Sequence, residues 1–161
     1  RNGGSRLVAT LGQLHPINMD PRSSSKPEAT SDWKLGYLVL RMALGLDIFM
    51  HGLVRLPHLN NFADGMVKQF ADTLLPPLVV RPFSNLLVFV EAIVGLLVLL
   101  GLWTRKALVV GAATMAALMF GTALRSDWNI LAIQLLYAAI YAALLGAREW
   151  NVYSLDTLLR R

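Results

Sequence analysis

The chain has 161 residues, 55% of them hydrophobic and only 16% charged, where a soluble domain carries about 25% charged residues; a single unit this small can satisfy that much apolar surface by placing it in a bilayer. The net charge is +5, but the basic residues gather at the ends of apolar segments, which is the charge bias of membrane loops and not a phosphate-binding groove; no zinc-finger, RNA-binding or basic-helix pattern is present, so nucleic acid is excluded as a partner. With no cysteine, disulfides, thiolate catalysis, iron–sulfur clusters and CxxC redox motifs are excluded as well.

In chain order, residues 1–33 read as a polar arm, with Pro16, Pro21, Pro27 and the run Ser23, Ser24, Ser25 opposing a packed helix. The apolar stretch at 7–14 is too short for a signal peptide. The arm is either a tail or a segment ordered by packing on a partner. Residues 34–150 form the membrane domain and 151–161 a C-terminal tail.

Four apolar spans are predicted at 35–56, 83–102, 107–124 and 129–146. Each approaches the roughly 20 residues needed to cross a hydrocarbon core, where only a helix satisfies the backbone of a single span. The fold class is therefore all-α: a four-transmembrane-helix bundle. Between the first two spans, Phe62, Met66, Phe70 and Leu74 recur at helical spacing with Asp64, Lys68 and Asp72 off that face. This predicts a short amphipathic helix lying on the membrane surface or capping the bundle, ended by Pro76 and Pro77.

Four spans place both termini on one side. That side holds Arg22, Lys26, Lys34, Arg105, Lys106, Arg148, Arg160 and Arg161, against Arg55, Lys68, Arg81 and Arg125 on the other. The bias predicts cytoplasmic termini and, for a chain of this type, a bacterial-type inner membrane. Trp33, Trp103, Trp128 and Trp150 fall at span ends, as interfacial aromatics do. Ala113, Ala117 and Gly121 in the third span and Ala138, Ala142 and Gly146 in the fourth form small-residue rows expected to pack helix on helix, within the chain or in a dimer.

The candidate site comes from ionisable residues inside the spans. Arg41, Asp47, His51 and Arg55 share an arc of about 120° on the first span. Each costs roughly 2.5–3.5 kcal/mol at the bilayer centre, so they are expected to face the interior. Glu91 lies in the second span, with Ser84 and Gly95 on its face; Gln134, Tyr137 and Tyr141 form a stripe on the fourth. At 1.5 Å per residue from the cytoplasmic ends, Asp47, Glu91 and Gln134 all come out about 16–18 Å deep, and Arg41 about 9 Å. This predicts an Arg41–Glu91 pair, with His51 near Asp47.

Two main readings are open. One is an internal polar network that sets helix register. The other is a proton- or quinone-handling pocket, with Glu91, His51 and Arg41 as catalytic residues and Asp47, Arg55, Gln134 and Tyr141 holding the ligand. A quinone carbonyl needs a hydrogen-bond donor such as His51, Arg41 or Tyr141, and its reduction needs protons. Haem or chlorophyll on His51 is a lesser alternative. No metal site is expected, because His15 and His58 lack ligand spacing.

The first span contains RMALGLDIFMHGLVR and the second EAIVGLLVLLGLWTR, and YSLD follows the fourth. Together these resemble the DoxX family of small four-helix membrane proteins, over roughly residues 35–157. Arg41, Gly45, His51, Gly52, Arg55, Glu91 and Gly95 match its motif positions, whereas Asp47 stands where the family is usually apolar. The resemblance implies kinship with the membrane subunit of thiosulfate:quinone oxidoreductase, which passes electrons to quinone. It also implies the alternative of a non-catalytic accessory subunit in a larger respiratory or photosynthetic assembly, with other membrane proteins as partners.

Overall fold

A computed structural model describes residues 27–159. Residues 1–26, which hold most of the expected arm and the apolar stretch at 7–14, lie outside the described residues, as do Arg160 and Arg161. The described residues contain helices and no strand: α1 Pro27–Arg55, α2 Leu59–Gln69, α3 Pro77–Leu100, α4 Thr104–Leu124, α5 Trp128–Gly146 and the short α6 Leu155–Leu159. Four helical runs are long and apolar enough to cross a membrane. The protein is an all-α membrane bundle.

The first helix begins at Pro27, so the last seven residues of the expected arm are helical. A proline in the first turn forfeits no intrahelical hydrogen bond, since that N–H would be unpaired anyway. At its other end α1 does not stop at a loop. A 3-10 turn at Leu56–His58, holding Pro57, leads directly into α2, and residues Thr30–Gln69 form one bent run.

Close backbone contact sets the register of this run against α3. A Cβ added at Gly45 would strike the backbone of Leu99, one at Gly52 that of Ala92 and Val88, and one at Gly95 that of Phe49. In lipid, where no hydrophobic force drives helices together, this approach supplies the van der Waals contact that holds them. The same antiparallel register carries on into α2, where Arg81 of α3 forms an ion pair with Asp64. Of the two placements expected for the amphipathic helix, the membrane surface or a cap on the bundle, α2 is nearer the second, since it packs on the bundle itself. It lies along the first half of α3, with Ala63 fully buried.

Pro76 and Pro77 do not end α2, which stops at Gln69. They start α3, with Pro76 as its N-cap and Pro77 in the first turn. The second span therefore begins six residues before the expected Phe83. Proline is better suited to opening a helix than to closing one, because its fixed φ is already helical.

The small-residue rows do not pack as expected within the chain. Ala113, Ala117, Ala142 and Gly146 are exposed, and only Gly121 of the α4 row is buried. The close α4–α5 contact is made by Gly111, which receives the ring of Tyr141. The Ala113 and Ala117 face of α4 lies about half a turn from Gly111, whereas Ala138 of the α5 row is half-buried against the core. An all-apolar helix gives no polar stripe to orient it.

The end of the bundle holding the α3–α4 turn is closed by the C-terminal segment. The Asp156 carboxylate accepts from the backbone N–H of Trp103 (2.7 Å) and Thr104 (2.8 Å), capping α4 from more than fifty residues away. Trp103 supplies no side-chain cap of its own. Gly101, at φ 66°, makes the turn and leaves room for Ser154 and Arg41. Residues 151–159 are thus a packed part of the bundle and not a free tail. Trp33 stacks on Trp150 with ring centroids 6.5 Å apart, so the start of α1 and the end of α5 meet at this same end.

Candidate functional site

At the opposite end the two helix pairs α1/α3 and α4/α5 diverge, and a cavity of about 530 Å³ lies between them. All five long helices contribute. Phe62, Met66 and Phe70 come from α2 and the turn after it, Val80, Phe83 and Leu87 from α3, Leu118 and Phe120 from α4, and Ile133 from α5. The polar lining is small and specific: His51, Arg55, Gln69, Glu91, Thr122, Arg125, Gln134 and Tyr137.

Glu91 is central to this lining. It sits mid-helix on the buried face of α3, with Ser84 and Gly95 on the same face, as its spacing predicted. Its carboxylate accepts from Arg55 at 2.6 Å. The Arg55 guanidinium also lies over the Phe62 ring, 4.7 Å from its centroid. On the far side, Arg125 stands 5.4 Å from the Phe70 ring centroid and 3.4 Å from Asp127. Two cation–π contacts thus hold the α2 aromatics at the cavity wall. Each arginine has its own carboxylate, so the ion pairs leave the cavity with no uncompensated charge when His51 is neutral.

The expected Arg41–Glu91 pair is not formed. Arg41 is 2% exposed and donates to three backbone carbonyls: Val98 (2.6 Å) and Leu99 (2.8 Å) at the end of α3, and Tyr153 (2.8 Å) in the C-terminal segment. It adds a second donor to the Val98 carbonyl, which also accepts from the Gly101 N–H, supplies one to Leu99, and places positive charge at the negative end of the helix dipole. The depth estimate failed because it started all spans at a common height. The glycine register instead sets residue 41 opposite the end of α3, about 11 Å along the helix from Glu91 at 1.5 Å per residue. The partner of Glu91 is the other arginine of the motif, Arg55.

The remaining candidates divide. His51 and Gln134 line the cavity with Glu91 and Arg55. Asp47 does not line it, but accepts a 2.7 Å hydrogen bond from the hydroxyl of Tyr137, which does. The His51 ring reaches back one turn, with Nδ1 2.9 Å from the Asp47 carbonyl oxygen and 3.6 Å from the Asp47 carboxylate. Tyr141 is 1% exposed and lies below the cavity, sharing with Glu91 only a void of about 10 Å³. Arg55 with Glu91, and Asp47 with His51 and Tyr137, form two hydrogen-bonded groups; His51, Arg55, Glu91, Gln134 and Tyr137 line the cavity, and Arg41 and Tyr141 stand outside it.

Phe62, Met66, Phe70, Thr122 and Arg125 are cavity residues that the site prediction omitted. The amphipathic pattern of α2 was visible in the sequence, but with its placement open between the membrane surface and the bundle cap, its apolar face was not read as a cavity wall. Arg125 reads as an ordinary loop cation. Among the described residues no group of His, Asp and Glu has the arrangement to hold a metal ion.

Residues 36–128 match the family model DoxX. The match takes in Arg41, His51, Arg55 and Glu91, and ends before Gln134, Tyr137 and Tyr141. No curated protein and no solved structure matches the chain. The family match covers more than half of the sequence, and with four membrane-crossing helices in the expected order, the chain belongs to the DoxX family of integral membrane proteins.

Proposed function

We propose that this protein is a quinone-linked membrane subunit whose cavity houses the head of a lipid-soluble quinone-class ligand. The observation that carries this reading is the cavity itself. It is about 530 Å³, walled by phenylalanine and aliphatic side chains, and ends at mid-bundle on the Arg55–Glu91 pair with His51, Gln134 and Tyr137. Ligand sites combine a largely apolar lining with a few convergent polar groups in this way. Buried ionisable residues inside membrane helices mark ligand or proton pathways. Glu91 and His51 are the proton-handling groups, Arg55 holds Glu91, and Gln134 with the Tyr137–Asp47 pair orients the ligand. With no cysteine in the chain, electrons reach the quinone from a partner protein or a bound cofactor. The setting is a bacterial-type inner membrane with both termini cytoplasmic.

Gentle purification followed by extraction and mass spectrometry tests the proposal. A quinone-class molecule is expected to copurify with the wild type and to be depleted, with binding weakened and not abolished, in Glu91→Gln and His51→Ala. If both variants support unchanged quinone reduction in the intact complex, the assignment fails.

A second reading, that of an accessory subunit, is favoured by α5. This membrane-length helix buries only Tyr141 and Leu144 within the chain, leaving a wide apolar face for lipid or for a neighbouring subunit. Constant association with other membrane proteins in mild detergent supports this reading, and a chain that always runs alone in mild detergent opposes it.

A further inference from the structure

The polar end of the cavity has a definite hydrogen-bonding sense. His51 places Nδ1 2.9 Å from the Asp47 carbonyl oxygen, which can only accept. In the neutral ring Nδ1 therefore carries the proton, and Nε2 is left as an acceptor. Tyr137 spends its only proton on the Asp47 carboxylate, so its oxygen offers the cavity lone pairs. Glu91, ion-paired to Arg55, is a carboxylate that accepts and does not donate. The side-chain oxygen of Gln134 is buried without a hydrogen-bond partner. Four acceptors thus gather on one patch. The donors nominated from sequence for a quinone carbonyl are occupied elsewhere: Arg41 on backbone carbonyls, Tyr141 outside the cavity, His51 Nδ1 on Asp47.

We infer that the cavity selects a ligand bearing hydroxyl donors, the hydroquinone form, over the carbonyl-bearing quinone. This deepens the quinone reading and rests on it. A hydroquinone hydroxyl donates to Glu91, Gln134 or His51 and can still accept from the remaining N–H groups of Arg55. A quinone carbonyl in the same place can accept from the remaining Arg55 N–H groups, but it brings no donor, so the Glu91, His51 and Gln134 acceptors stay unpaired, which is the more costly outcome. Sites built around a ligand hydroxyl discriminate strongly against analogues that lack it. The preference has an electrochemical consequence: tenfold tighter binding of the reduced form raises the midpoint potential of the bound two-electron couple by about 30 mV. The cavity would therefore make its quinone a better electron acceptor.

The test uses the full chain in nanodiscs under anaerobic calorimetry, with three probes: a short-chain benzoquinol, the matching benzoquinone, and the dimethyl ether of the quinol, which keeps the shape but has no donor. The quinol is expected to bind at least about tenfold tighter than the quinone, with the ether no better than the quinone. Quinone binding equal to or tighter than quinol overturns the inference and leaves the quinone reading standing. Saturable binding of none of the three overturns both. Two variants sharpen the ratio, which is measured within one preparation and so is insensitive to any unfolded fraction. Gln134→Leu removes an acceptor and is expected to bring the quinol:quinone ratio toward one. Glu91→Gln adds donors and is expected to shift the ratio toward the quinone. Unchanged ratios in both variants overturn the assignment of the acceptor patch.

Discussion

The two ends of the bundle use an arginine from the same helix to opposite effect. At the end holding the α3–α4 turn, Arg41 is enclosed by the carbonyls of Val98, Leu99 and Tyr153, and Asp156 closes the start of α4. Both charged groups there bond to backbone. At the last residue of α1, where the chain passes toward α2, Arg55 meets a side-chain carboxylate, Glu91, on the wall of a cavity. The difference follows from what each arginine finds opposite it. A helix terminus presents unpaired carbonyls that must be satisfied. The middle of a helix presents none, so an arginine there needs a carboxylate. The closed end spends its arginine on backbone carbonyls, and the open end keeps an ion pair on a cavity wall.

The comparison is broken most severely by disrupting what the two ends share, the α1–α3 register. Gly52→Leu places a side chain into the backbone of Ala92 and Val88. It is expected to cost about 3 kcal/mol or more, seen as loss of folded protein on size exclusion after extraction. Arg41→Met removes a charged donor from three carbonyls at the closed end. At about 1.5–3 kcal/mol for hydrogen bonds to a charged group, a clear fall in the denaturation midpoint is expected, with Arg41→Lys intermediate.

At the open end the double variant Arg55→Met with Glu91→Leu separates structure from chemistry. Replacing a whole ion pair by apolar residues of similar volume is often neutral or stabilising. The expected outcome is a denaturation midpoint within about 1 kcal/mol of wild type and complete loss of quinone-class ligand from the purified protein. Retention of ligand would show that the pair only holds helices together. Asp156→Ala is expected to have the smallest effect, about 1 kcal/mol for a lost N-cap. Its denaturation midpoint falls slightly while ligand content per folded molecule stays at the wild-type level.

Much of the architecture was legible because bilayer physics writes itself into composition. Four apolar stretches of membrane length can only be helices, so the fold class, the order of the spans and the tryptophans at their ends followed from residue types alone. The inward placement of Glu91 also followed, since a carboxylate at that depth must avoid lipid, whereas the motif glycines were matched by family resemblance and their packing role was not foreseen. His51, Arg55 and Gln134 were named for the same reason, and each lines the cavity.

What the sequence could not decide was relative height and rotation. Depth counted from span ends paired Arg41 with Glu91, whereas contacts at Gly45, Gly52 and Gly95 slide α1 along α3 until Arg55 takes that place. Those contacts lie between residues some forty to fifty positions apart, and no local periodicity encodes them. The inward turn of α2 and the exposure of the Ala113–Ala117 row were likewise set by neighbouring helices. Burial cost determines which residues must point inward. Only the packing of one helix against another determines which of them meet, and that is why the chain announces a polar interior while the tertiary structure alone assembles the cavity.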